Sequence, residues 1–156
     1  MNYISTRGRA PVLDFEETML TGLARDGGLY VPETVPVLST EMLLGLRGAT
    51  YEETAFQVMR PFIGGCFSDT EYRDIIHRAY AGFGHSARCP LVQFGPNEWI
   101  LELHHGPTLA FKDVALQLIG RMFDTVLARR NQRVTIVGAT SGDTGSAAME
   151  AFRGAE

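Results

Sequence analysis

The residue best placed to do chemistry is Lys112, which stands at the start of a long apolar helix, a few residues after a Gly106-Pro107 turn. The positive end of a helix dipole disfavours an ammonium ion there, and burial acts in the same direction. A neutral lysine amine attacks an aldehyde and forms a Schiff base. The alternative, which spacing alone favours, is a surface lysine whose aliphatic stem lies along the first helical turn.

A second segment, Thr140–Ser146, lies between an apolar run and a predicted helix. Gly142 and Gly145 permit close backbone approach and positive φ, and successive backbone N–H groups at a helix start can bind an anion. Hydroxyls of Thr140, Ser141, Thr144 and Ser146 add hydrogen-bond donors. The alternative is an ordinary strand-to-helix turn rich in capping residues, and the pattern does not decide between the two.

Other glycine-rich and metal motifs fit the chain poorly. The loop after Gly138 has no lysine for a Walker motif, the wrong glycine spacing for a dinucleotide fingerprint, and its serine one place late for a nucleophile elbow. His104 and His105 are adjacent and should point in different directions. With no further ligand at a suitable spacing, we expect no metal site.

The helices and strands that must position these residues divide the sequence into two halves of different character. The first half reads as small helices: one follows Asp14, and capping boxes at Thr50/Glu53 and Ser68/Glu71 begin two more. The second half begins with two strands around Gly95-Pro96-Asn97. The elements after that turn are a helix with an apolar stripe from Phe111 to Leu127, a buried parallel-type strand at Val134–Val137, and a helix from Ser146. This order predicts an open α/β fold. Because no strand follows to pair with 134–137, the chain looks cut inside a sheet domain.

Composition excludes several classes of protein. The formal net charge of −4 argues against nucleic-acid binding, and no apolar run approaches a membrane span. The N-terminus lacks the apolar core of a secretory signal. Two cysteines without ligand spacing fit a reducing compartment, so we expect a cytoplasmic protein.

Four ordered segments resemble the threonine synthase family. Glu102–Asp113 is similar to the family's lysine motif and Val137–Ser146 to its substrate loop, while Tyr3–Gly8 and Asp26–Pro32 resemble its N-terminal signatures. The resemblance implies a pyridoxal 5'-phosphate (PLP) enzyme with the fold of the tryptophan synthase β subunit. It implies residues 1–84 as an N-terminal region and residues 85–156 as the incomplete start of the PLP-binding domain.

The resemblance also implies roles for individual residues. Lys112 would bind the cofactor covalently and move protons while O-phospho-L-homoserine and water become L-threonine and phosphate. Thr140, Ser141, Gly142 and Thr144 would bind the substrate, with Thr144 near the leaving phosphate, and Asp143 would lie beside the cofactor ring oxygen. Two departures are His104, where the family commonly has an aromatic residue, and Asp143, where related enzymes often have asparagine.

The resemblance leaves two alternatives open: another PLP lyase of the same fold, or a non-catalytic fragment. Residues 1–156 alone are expected to be inactive, because the family's phosphate-binding loop and pyridine-nitrogen contact lie later in the chain. An exposed sheet edge would favour self-association.

Overall fold

A computed structural model describes residues 1–154, which form two compact units. The first unit, Met1–Arg73, contains β1 (Tyr3–Ser5), α1 (Phe15–Thr21), β2 (Tyr30–Pro32), α2 (Thr40–Gly45), α3 (Tyr51–Ile63) and the start of α4 (Asp69–Tyr80). The second unit, from Asp74 onward, contains the rest of α4, β3 (Leu91–Gly95), β4 (Glu98–Leu101), α5 (Asp113–Arg130) and α6 (Gly142–Ala151).

Three helices, α1, α3 and α4, begin where the capping signals predict, whereas α2 with its Ser39 cap was not predicted. The Asp14 carboxylate accepts from the Glu17 N–H at 2.8 Å, and the Thr50 hydroxyl accepts from the Glu53 N–H at 3.1 Å. The Ser68 hydroxyl accepts from the Glu71 N–H at 3.2 Å. Each side chain satisfies a backbone donor that the first helical turn leaves free, so these three predictions are confirmed.

The first unit also contains a small sheet that periodicity did not predict. β1 pairs with β2 in antiparallel fashion, with Tyr3 opposite Pro32 and Ser5 opposite Tyr30. Strands of three residues are too short to show an alternating pattern, so only their pairing across the chain identifies them. Aromatic side chains form part of the core of this unit: Tyr72 stacks on Phe67 with ring centroids 6.0 Å apart, and both are buried.

The second unit confirms the predicted hairpin and the predicted long helix, and it buries part of the apolar stripe of that helix. β3 and β4 pair in antiparallel fashion around the predicted turn, but β4 ends at Leu101 and the chain then leaves the strand. In α5 the stripe residues Leu118, Met122 and Val126 are buried, whereas Phe111 is 59% exposed. Phe111 precedes the first residue of α5, which takes it out of the buried stripe.

Helices α5 and α6 pack closely at a glycine. A Cβ built on Gly120 would lie 2.6 Å from the carbonyl oxygen of Ala151, well inside van der Waals contact. Ala147 and Ala151 are completely buried on the facing side of α6. Small residues on both helices therefore allow the close approach.

The predicted strand at Val134–Val137 is wrong for the described part of the chain. These residues have no regular secondary structure, and Val137 is 89% exposed. A strand needs a neighbour for its backbone groups, and residues 1–154 offer 134–137 none. The described strands form only antiparallel pairs.

Helices and strands together make the described chain α/β, as predicted at that coarse level. The division at residues 84 and 85 stays a prediction. None of the helices within residues 1–154 combines the length and the apolar character needed to cross a membrane.

Candidate functional site

The loop that carries Lys112 is held against the start of α5 by a buried carboxylate. Asp113 is completely buried, and its Oδ2 accepts hydrogen bonds from both the backbone N–H and the hydroxyl of Thr108, each at 2.8 Å. Its other oxygen, Oδ1, is buried without a hydrogen-bond partner among residues 1–154. Since Asp113 follows Lys112 directly, these bonds also fix the backbone from which the lysine extends.

The same loop requires unusual backbone geometry. Leu109 has a φ of 63°, in the left-handed region that few residues with a side chain adopt. Its N–H donates to the Gly106 carbonyl at 3.1 Å, which closes the turn. A Cβ at Gly106 would overlap the Asp113 side chain, so only glycine fits beside the carboxylate. Strain of this kind at a single loop position is typical of functional sites.

Lys112 occupies the N-cap position of α5, as the sequence predicts, and is half-buried. Its Nζ lies 4.2 Å from the centroid of the Phe111 ring. It is also the only lysine in the sequence. Apart from the histidines, every other basic residue in the sequence is arginine. The scarcity of lysine therefore singles out Lys112, a signal that motif spacing does not use.

Lys112 lines a cavity of about 420 Å³ within the second unit. The other lining residues are mostly apolar: Leu103, Phe111, Val114, Ala115, Leu116 and Thr144. Sequence reasoning identified Lys112 and Thr144 but missed these apolar walls, since a helical stripe does not indicate which of its residues line a cavity. The structure thus brings the lysine segment and the Thr140–Ser146 loop to one site.

The Thr140–Ser146 loop is partly the first turn of α6. Ser141 is the N-cap, with its side chain making no capping hydrogen bond within the described residues, and Gly142, Asp143 and Thr144 follow in the helix. Their backbone N–H groups belong to the turn that has no intrahelical acceptor, so they remain available for an anion. Gly142 and Gly145 both lie in α6 and neither adopts the positive φ that glycine permits.

A second cavity, of about 550 Å³, adjoins the same helix start. Thr140, Thr144 and Gly145 line it, together with Gly138 and apolar side chains of α6. Thr144 therefore belongs to both cavities. Ser141, Gly142 and Asp143 line neither, and all three are exposed. The structure thus places Thr140 and Thr144 on the cavity walls, whereas the other three candidates are exposed to solvent at the start of α6.

Just beyond β4, an acidic and two basic side chains meet. His105 Nε2 lies 2.7 Å from Glu102 Oε2, and the rings of His104 and His105 have centroids 4.5 Å apart. The expectation that the adjacent histidines point apart is wrong, because the strand ends at Leu101 and its alternation ends with it. The hydrogen bond from His105 lowers the pKa of Glu102, and the nearby histidine charges lower it further.

Comparison with known proteins gives the family. A sequence model described as the threonine synthase N terminus matches residues 2–80. The chain is 58% identical over 153 residues to threonine synthase of Pseudomonas aeruginosa, covering 98% of this chain and 33% of that protein. It is 42% identical to threonine synthase of Schizosaccharomyces pombe, covering 99% of this chain and 32% of that protein.

Solved structures agree with this match. The crystal structure of PLP-bound threonine synthase from Brucella melitensis superimposes with a TM-score of 0.97 at 56% identity, covering 100% of this chain and 34% of that one. Threonine synthase from yeast gives a TM-score of 0.91 at 41% identity, covering 99% of this chain and 33% of that one. The chain spans about a third of the length of these relatives. With the family model matching half of its length, the chain belongs to the threonine synthase family and corresponds to the N-terminal portion.

Proposed function

We propose that this chain is the N-terminal portion of a PLP-dependent threonine synthase. The whole enzyme converts O-phospho-L-homoserine and water into L-threonine and phosphate, by β,γ-elimination followed by hydration. The reaction class is that of a carbon–oxygen lyase that eliminates phosphate.

One observation carries the proposal: Lys112 and Thr144 line the same cavity. The two segments that could do chemistry lie far apart in the sequence, and a surface lysine and an ordinary turn would have no reason to meet. A nucleophilic amine beside an anion-receptive helix start suits a substrate that carries both a carboxylate and a phosphate.

The residues present fit PLP. The cavity is apolar apart from Lys112 and Thr144, which suits a flat aromatic ring, and its one amine can bond to an aldehyde carbon. When bound, PLP serves as an electron sink that makes the hydrogens on neighbouring substrate carbons acidic. By the family resemblance, the residues that contact the phosphate and the ring nitrogen of PLP are expected later in the full-length protein.

Lys112 holds and moves protons in this proposal. Its Nζ extends from the first residue before α5, and the Thr108–Asp113 hydrogen bonds fix the backbone on either side. A fixed backbone limits the positions of the amine to a few rotamers, so it can take a proton from the substrate carbon and return it at a neighbouring carbon.

The start of α6 binds the anionic groups of the substrate. The backbone N–H groups of Gly142 and its neighbours, with the hydroxyls of Thr140 and Ser141, hold the carboxylate, and Thr144 lies near the leaving phosphate. Asp143 is assigned to the cofactor ring oxygen. Because two anions repel each other, that contact requires a proton or a cationic neighbour.

The proposal also includes the domain organisation and the fold type of the whole enzyme. Residues 85–156 begin a PLP-binding domain of the tryptophan synthase β type, after an N-terminal region of residues 1–84. Val134–Val137, exposed here, pairs in the whole enzyme with a strand from later in the protein. Without that strand the exposed apolar side chains of 134–137 would favour association with a second copy. The cytoplasm is the proposed location.

The test uses the full-length natural polypeptide that contains residues 1–156. Borohydride reduction in the presence of PLP should attach the cofactor at Lys112, and peptide mapping locates the attachment. Lys112→Ala should abolish phosphate release from phosphohomoserine rather than raise KM, because among the described residues Lys112 supplies the only amine that lines the cavity.

Arg153→Ala is the matched control, since it removes an exposed cation that lines neither cavity. It should keep full activity. Attachment of PLP at a different lysine would contradict the assignment of Lys112. A PLP adduct at Lys112 without turnover of phosphohomoserine would contradict the proposed substrate. It would favour the alternative of another PLP lyase of this fold.

A further inference from the structure

Three of the four histidines in the chain lie together where β4 ends. The His85 ring centroid is 5.0 Å from that of His105, which is 4.5 Å from that of His104. Glu102 completes the group through its contact with His105. None of these side chains lines the cavity that holds Lys112.

The ligand atoms of this group are close enough to share one ion. One carboxylate oxygen of Glu102 and one ring nitrogen each of His104 and His105 all lie within 4.8 Å of one another. Imidazole nitrogen and carboxylate oxygen are ligands that Zn²⁺ accepts at about 2.0–2.2 Å, so a central ion needs only small side-chain rotations. The sequence expectation of no metal site rested on a missing third ligand, and Glu102 supplies it.

His85 is a neighbour of this group and not a ligand. Its Nδ1 accepts a hydrogen bond from the Ala87 N–H at 3.1 Å. In a neutral imidazole the proton is then on Nε2, which makes that nitrogen a donor. His85 therefore presents a donor nitrogen beside the group, with its ring centroid 5.0 Å from that of His105.

We propose that Glu102, His104 and His105 form a site for a divalent transition-metal ion, best suited to Zn²⁺. One carboxylate and two imidazoles occupy three positions, and water takes a fourth on the side where His104 is exposed. The ion replaces the direct hydrogen bond between Glu102 and His105. It ties the end of β4 to the loop that leads through Gly106 to Lys112.

The test measures Zn²⁺ binding to the full-length polypeptide without a histidine tag, carrying its PLP, after chelator treatment. Titration against a competing zinc indicator should give one ion per chain. His104→Phe keeps an aromatic ring but removes one ligand, so it should weaken binding more than about tenfold. His77→Phe makes the same substitution at an exposed histidine of α4 outside the group and should bind as the parent does.

A second readout guards against misfolding of the variant. Circular dichroism and the melting temperature without metal should match for the parent and His104→Phe. Zn²⁺ at a free concentration near the Kd of the parent should raise the melting temperature of the parent and of His77→Phe more than that of His104→Phe. The proposal is overturned if the parent binds no stoichiometric zinc, or if His104→Phe binds as tightly as the parent. Equal weakening of both variants would also overturn it, because binding would then be a general property of surface histidines.

Discussion

The Ser5 hydroxyl lies 2.7 and 2.9 Å from the two carboxylate oxygens of Asp26 and joins two N-terminal segments. Ser5 belongs to β1, and Asp26 begins the tight turn Asp26-Gly27-Gly28 before β2. Burial raises the pKa of Asp26, but hydrogen bonds from Ser5 and from three backbone N–H groups outweigh it. The net result is a pKa lowered from 3.8 to about 2.

The lowered pKa predicts acid-sensitive stability. A carboxyl whose pKa is lower in the folded state stabilises the fold above its unfolded value, and this contribution is lost as the pH falls from about 4 towards 2. Asp26→Asn should therefore be less stable than the parent at pH 5, and the difference should narrow at pH 2.5. Urea unfolding of both proteins at both pH values measures it. A difference that stays constant would show that Asp26 does not titrate as described.

The loop before Lys112 should depend more on Asp113 than on Thr108. Thr108→Val keeps the side-chain shape but removes the hydroxyl's bond to Asp113 and its long contact with the Ala110 N–H at 3.4 Å, which together cost about 1 kcal/mol. Asp113→Ala removes both acceptor bonds and leaves the Thr108 N–H unpaired, which costs about 1–3 kcal/mol for that donor alone. Denaturant unfolding of the two variants should give this order. Equal losses would mean that the backbone bond contributes nothing.

Gly120 should tolerate no side chain. A methyl group there meets the Ala151 carbonyl oxygen, so Gly120→Ala should separate α5 from α6 and cost about 1–3 kcal/mol. Gly45→Ala is the control, because Gly45 ends α2 with no described atom within 4 Å of the added carbon. That variant should be neutral or slightly stabilising. Melting temperatures compare the two, and an unchanged value for Gly120→Ala would contradict the close packing.

Substrate binding should depend on the start of α6. Ser141→Ala and Thr144→Ala in the full-length enzyme should each lower kcat/KM for phosphohomoserine about ten- to a hundred-fold, the loss of one charge-assisted hydrogen bond. Ser146→Ala is matched to them, since the Ser146 hydroxyl already donates to the Gly142 carbonyl at 2.8 Å inside the helix. It should change kcat/KM little. Unchanged kinetics for both Ser141→Ala and Thr144→Ala would remove this loop from the substrate site.

The sequence by itself determined the features that depend on neighbours in the chain. Capping side chains reach a backbone donor three residues away, so Asp14, Thr50 and Ser68 could be read directly as helix starts. The position of Lys112 at the start of α5 is equally local, because it follows from a turn and an apolar stripe.

Only the tertiary structure decided what depends on contacts between distant segments. The β1–β2 pair, the shared cavity of Lys112 and Thr144, and the close approach of Gly120 to Ala151 join residues that no local pattern relates. The failure of 134–137 to form a strand has the same cause. A helix satisfies its backbone hydrogen bonds within one segment, whereas a strand must find them in another.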